Sequence, residues 1–170
     1  MNVLFVGDMV GSESCTWLAG RLPDIKREYD IDLTIVNAEN IRIESGETGV
    51  TSGMEASAVQ KLLDAGVDVI TSGNHAWDGP DAETLLAHPQ VIRPLNMPEG
   101  WAGKGSITLD VAGETVTVVN LADKDAIPVT TPLYGGWSPA AEHGTVIVDM
   151  HGTPPAKYGF AHTNDGKVAA

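Results

Sequence analysis

Asn74 and His75 stand side by side in residues 68–78, DVITSGNHAWD, just after a short apolar run that ends at Gly73. An amide oxygen and an imidazole at the end of a hydrophobic strand are metal-binding or proton-transferring groups, placed where open α/β sheets bind their ligands. Three further apolar stretches end in the same way: residues 3–8 in Asp8, residues 33–40 in Glu39 and Asn40, and residues 146–151 in His151. Asp8, Glu39, Asn40 and Asn74 offer hard oxygen donors and His151 offers a nitrogen. That mixture suits Mn²⁺, Fe²⁺ or Mg²⁺, and Zn²⁺ less readily. A carboxylate shared between two cations, completed by an Asn carbonyl and a His, describes a hydrolytic metal pair. Such a pair lowers the pKa of a bridging water and stabilises the attacking and leaving oxygens.

Each residue also has a plainer reading. Asp8 could simply cap a helix, Glu39-Asn40 could be a solvated turn, and Asn74-His75 an Asx-turn with a structural histidine. His151 alone could be a hydrogen-bonded polar residue. The metal reading gains its weight from four strand ends that carry the same chemistry. His88, before Pro89, and His143, in Glu-His-Gly, lack such a setting, and Cys15 has no histidine beside it.

The elements that must position these groups follow from periodicity. Residues 2–7, 32–38, 67–71 and 145–150 read as buried strands, and 91–92 as a short one. A helix follows the first strand, capped by Ser12 or Ser14, with Trp17, Leu18, Leu22 and Ile25 on its apolar face. Pro23 predicts a kink or an early end. A second helix spans about 54–65, with Ala58, Leu62 and Leu63 inward, and stops at Gly66. A short helix runs from about 80 to 87. Residues 106–120 alternate around Gly113 as an antiparallel hairpin. Residues 41–52 read as a loop over the site, and 123–139, with Pro128, Pro132 and Pro139, as irregular. After the turn at Asp165-Gly166, Lys167 opens another strand that the 170-residue chain leaves unfinished, with an unpaired edge.

Composition bounds the rest. At 170 residues, 42% hydrophobic and 19% charged, the chain has the size and balance of one globular domain, residues 1–170. No apolar run reaches the roughly 20 residues that span a bilayer, and MNVLFVGD reads as a first strand rather than a leader. A single cysteine excludes an internal disulfide and fits the cytoplasm. The net charge of −13 argues against a basic nucleic-acid-binding surface. It also means that an anionic substrate needs bound cations to reverse the local sign.

Taken in order, GDMVG, VNAEN, TSGNHAWD, IRPLN and VDMH resemble the YmdB-type family of calcineurin-like metallophosphoesterases over nearly the whole chain. The resemblance implies an α/β sandwich of mixed β-sheets flanked by helices and hydrolysis of 2′,3′-cyclic nucleotides or related phosphodiesters. It implies two divalent metal ions, Fe or Mn foremost. Asp8, Glu39 and Asn40 match the ligands of one, and Glu39 bridges to a second held by Asn74 and His151. His75 matches the general acid at the scissile phosphate, with Asp78 three residues on to orient its imidazole. The family carries a Gly-Thr-His-Thr-His segment after the strand that Lys167 opens, and this chain ends before it, so the expected fold is C-terminally incomplete. A homo-oligomer, or another chain supplying those histidines, is then an expected partner. His162, in Phe-Ala-His-Thr-Asn, is a supporting candidate to fill the gap. The alternative is a truncated or degenerate relative that binds a nucleotide, RNA or a protein without catalysis. A plain dinucleotide-binding domain fits less well, because no G-x-G-x-x-G follows the first strand.

Overall fold

The computed structural model describes residues 1–46, 49–98, 100–128, 137–138 and 142–169. Its centre is a pair of sheets packed face to face. The first holds β1 (Val3–Val6), β2 (Leu33–Asn37) and β5 (Val69–Thr71), all parallel, in the order β1-β2-β5. The second holds β6 (Ser106–Val111), β7 (Glu114–Ala122) and β8 (Thr145–His151), with β6 antiparallel to β7 and β8 parallel to it. A separate hairpin joins β3 (Arg42–Gly46) to β4 (Gly49–Gly53).

Period-two alternation sorts the strand residues between layers. Leu33, Ile35 and Val69 face Val116, Val118 and Ile147 across the space between the sheets. Val36 and Ile70 turn the other way, against helices α1 (Gly11–Glu28) and α2 (Ala56–Asp64). The short α3 (Ala82–Leu86) adds Leu85 and Leu86 to that same core. On the far side, Val119, Leu121, Val146 and Val148 pack on Phe160 of α4 (Pro154–Thr163). The result is helix, sheet, sheet, helix. Each fully buried aliphatic side chain in these layers contributes roughly 1.5–3 kcal/mol.

Several local expectations are corrected. Residues 41–52 are not a loop: Arg42 pairs with Gly53 and Gly46 with Gly49 in the β3–β4 ladder, while positions 47 and 48 lie outside the described residues. Helix α1 continues through Pro23 to Glu28. Pro23 sits on the exposed side, where the carbonyl it leaves unpaired one turn earlier can meet water. Neither Ser12 nor Ser14 caps α1; Ser14 Oγ donates instead to the Gly11 carbonyl. The helix start is tied to the end of β2 by backbone, with Gly11 N donating to Asn40 O at 2.9 Å. Trp17 is exposed beneath the Arg21 guanidinium rather than inward.

Val91 and Ile92 add only single parallel bridges, to Ile70 and Lys104. Helix α4 has its signal in Pro154-Pro155 after Thr153, since proline suits the first helical turn. Past it, residues 165–168 turn, and Ala169 N donates to Val146 O at 2.7 Å on the free side of β8. Of the irregular 123–139 segment, positions 129–136 and 139 lie outside the described residues. No described helix is long and apolar enough to cross a membrane.

The β7–β8 register depends on Gly144. Its φ of +72° is left-handed, and a Cβ there would fall 2.0 Å from the Thr115 carbonyl oxygen. Gly144→Ala is therefore expected to destabilise the fold by about 1–3 kcal/mol or more, read as a lower urea midpoint. An unchanged midpoint would contradict the tight crossing.

Candidate metal centre

The site forms where β1, β2, β5 and β8 end together. Parallel pairing within each sheet sets the carboxyl ends level, Val6 opposite Val36 and Asn37 opposite Thr71. Face-to-face packing then brings the end of β8 over them. Beneath the site, the inter-sheet core turns polar. The Asp149 carboxylate, 8% exposed, accepts hydrogen bonds from Thr71 Oγ1 and from Asn37 Nδ2, the latter at 3.0 Å. Asn120 Nδ2 donates to the Asp149 carbonyl at 3.2 Å, and Asn120 Oδ1 accepts from Ser72 N at 3.1 Å. Burial raises the Asp149 pKa, with the Thr71 and Asn37 donors working against it. This polar floor was missed in the sequence because its members fall at positions where a strand simply alternates.

On that floor sits Glu39, 1% exposed. Its Oε2 accepts from the His75 backbone N at 3.1 Å, and its Oε1 lies 3.3 Å from His151 Nδ1. Burial raises the Glu39 pKa; His151, the His75 N–H and the His75 ring oppose that, and Asp8 reinforces it. A buried carboxylate so placed calls for positive charge. His151 Nε2 in turn meets Asn74 Oδ1 at 2.7 Å. Asp8, held at a φ of +40°, accepts from Asn40 Nδ2 at 2.6 Å. Positive φ in a residue other than glycine is uncommon and collects at functional turns.

The strand-end residues singled out above therefore gather in one cluster of two contacting groups, Glu39 with His151 and Asn74, and Asp8 with Asn40, the chain neighbour of Glu39. His75 stands beside it with Nδ1 2.8 Å from Asp78 Oδ2. His162 does not join: it is exposed in the last turn of α4, roughly 12 Å along the helix from Pro154 at 1.5 Å per residue. Cys15 is buried away from the cluster, its Sγ–H directed at the Ala58 carbonyl.

Asp123, within the stretch read as irregular, also belongs to the site's surroundings. It directly follows the buried run Asn120-Leu121-Ala122, so the strand-end rule could have flagged it. Burial pushes its pKa up, but N–H donors from Ala126 and Thr153 and the Thr153 hydroxyl outweigh that and leave it below the usual carboxylate range.

Among the described residues, no group of three or more His, Cys, Asp and Glu side chains is arranged to hold a metal ion. A cation here would draw on the Asn40 and Asn74 carbonyls as well. The donor chemistry fits a hard divalent cation. Glu39 is a buried carboxylate pressed against an imidazole, Asp8 stands nearby, and both Asn side chains already point at their neighbours in the cluster. Glycine at 73 keeps this cradle open, because a Cβ there would sit 2.4 Å from Glu39 Oε2 and 2.5 Å from His151 Cγ.

The fold is an α/β sandwich of mixed sheets flanked by helices, of the metallophosphoesterase type. The chain belongs to the YmdB-like protein family, whose model matches residues 4–170. It is 33% identical, over its full length, to a Bacillus subtilis protein named 2′,3′-cyclic-nucleotide 2′-phosphodiesterase, and covers 64% of that protein. A solved hypothetical protein from Thermus thermophilus superposes with a TM-score of 0.84 at 33% identity, covering 99% of this chain and 65% of that one. A structure described as a novel phosphatase from Mycoplasma pneumoniae gives 0.83 at 28% identity, over 98% of this chain and 60% of the other. The chain thus spans slightly under two thirds of the length of these relatives.

Proposed function

We propose that this protein is a divalent-metal-dependent phosphodiesterase acting on 2′,3′-cyclic nucleotides or related phosphodiesters. The observation that carries the reading is the contact of the buried Glu39 carboxylate with His151, 3.3 Å apart although 112 residues separate them in sequence. The Bacillus subtilis relative's name supports the choice of substrate.

Asp8, Glu39 and Asn40 would hold one cation, and Glu39, Asn74 and His151 a second. Bound cations supply positive charge for the phosphoryl oxygens and make water acidic enough to attack near neutral pH. In a chain of net charge −13 they also make an anionic substrate tolerable.

The chain's own residues do the rest. Asp78 accepts the Nδ1 hydrogen of His75, so the proton that moves is the Nε2 hydrogen of the doubly protonated ring. When water adds at phosphorus it gives up one proton to solvent, one ester P–O bond breaks, and His75 gives its Nε2 proton to the departing ribose oxygen and regains one from solvent. The product is a ribose hydroxyl and a phosphomonoester.

The test is release of monophosphate from a 2′,3′-cyclic nucleotide, and of nitrophenol from bis-p-nitrophenyl phosphate, with added Mn²⁺ and with chelator. Hydrolysis that Mn²⁺ supports and chelator abolishes is expected. No turnover by a folded, Mn²⁺-loaded chain would overturn the reading. Nucleotide binding without turnover would instead support a binding protein on this fold.

A further inference from the structure

We propose that Asp123 is a positioning residue that aims the His151 imidazole at Glu39 and Asn74. Asp123 begins the turn after β7, and its backbone N donates to the His151 carbonyl at 3.0 Å. Its side chain grips the same turn from the other side: Oδ2 accepts from Thr153 N at 2.8 Å and from Thr153 Oγ1 at 2.9 Å. The other oxygen, Oδ1, accepts from Ala126 N at 2.6 Å and anchors the carboxylate to its own loop.

These bonds bracket His151 on both sides of Gly152. Gly152 is pressed so close that a Cβ there would lie 2.5 Å from Asp123 Oδ2. Thr153 occupies the N-cap position of α4 yet makes no capping bond with its side chain. Its hydroxyl is committed to Asp123 instead. The His151–Gly152–Thr153 backbone is thus held at the carbonyl of the first residue and at the N–H of the third. Held backbone fixes the direction in which the imidazole leaves it. The ring then meets Glu39 through Nδ1 and Asn74 through Nε2. Partners that orient a ligand from outside typically change metal affinity or activity by about 10–100-fold when removed.

The consequence for cations rests on His151 being a ligand, as proposed above; the consequence for ring orientation does not. In Asp123→Asn one acceptor oxygen becomes an NH₂ group and the carboxylate charge is lost, so the Ala126 and Thr153 N–H groups can no longer both be accepted and the grip on that turn is weakened. Thr153→Val removes only the hydroxyl bond and serves as the milder variant. Imidazole ¹H–¹⁵N spectra are recorded on wild type and both variants, with Mn²⁺ titrations and thermal melts on the same samples.

The expected result is a changed His151 ring signal in both variants, larger in Asp123→Asn, with the His75 signal unmoved. Mn²⁺ affinity should fall by about 10–100-fold in Asp123→Asn. A His151 signal unchanged in both variants overturns the inference, whatever happens to the melting temperature. So does a shift of His75 and His151 together, which marks general loosening. If wild type itself fails to take up Mn²⁺, the metal reading falls while the ring signals still decide the role of Asp123.

Discussion

Glu39→Gln is expected to lose both divalent-cation binding and turnover, while His75→Ala keeps the cation and loses only rate. The two residues touch, since Glu39 accepts from the His75 backbone N, yet their side chains have different work. Glu39 is fully buried with its two oxygens directed at His75 N and His151. A glutamine there removes the negative charge and turns an NH₂ group toward one of those neighbours. The loss of affinity should exceed the roughly 10–100-fold that outer partners of a ligand set command.

The His75 side chain is about a third exposed and bound at Nδ1 to Asp78, so its free nitrogen is available to substrate. Removing a general acid lowers kcat by roughly 10²–10⁴-fold, and Asp78→Asn should give a smaller loss in the same direction. Metal content and rate must be measured on the same preparations. If His75→Ala strips the metal as thoroughly as Glu39→Gln, the imidazole is a ligand and the division of roles is wrong.

A single methyl group at position 73 should be nearly as damaging. Gly→Ala at a compatible site commonly stabilises a protein by about 0.4–1 kcal/mol through the unfolded chain. At Gly73 the added carbon would meet Glu39 Oε2 at 2.4 Å and His151 Cγ and Nδ1 at 2.5 Å. None of these atoms belongs to a floppy surface chain: Glu39 is fully buried and the His151 side chain is 19% exposed. Relief requires Glu39 and His151 to move apart or the strand end to back away, and either separates the groups that would share a cation. Gly73→Ala is therefore expected to retain the sandwich, judged by an unchanged far-ultraviolet circular dichroism spectrum, and to lose Mn²⁺ binding and diester hydrolysis together. Wild-type affinity and rate in Gly73→Ala would show that this packing is not what holds the cluster.

Side-chain chemistry and short-range periodicity are local properties, and through them the sequence alone determined a good deal. Apolar runs closed by Asp8, Glu39-Asn40, Asn74-His75 and His151 identified both the strands and the residues that end them. The pairing of Asp78 with His75 was legible too, because three residues is the reach of one turn.

What only the tertiary structure decided depends on distant segments meeting. Asn37 and Asp149 are bonded across 112 residues, and nothing in either strand marks its partner. The β3–β4 ladder arose from residues that read as loop, since backbone pairing satisfies glycine- and threonine-rich chain as well as hydrophobic chain. Helix α1 ran through Pro23 because that residue faces solvent, which depends on the helix's orientation against the sheet. The closeness of Gly73 to Glu39 and His151 exists only once two sheets have packed. Residue types supply donors and acceptors, but the packing of one sheet on the other decides which of them share a site.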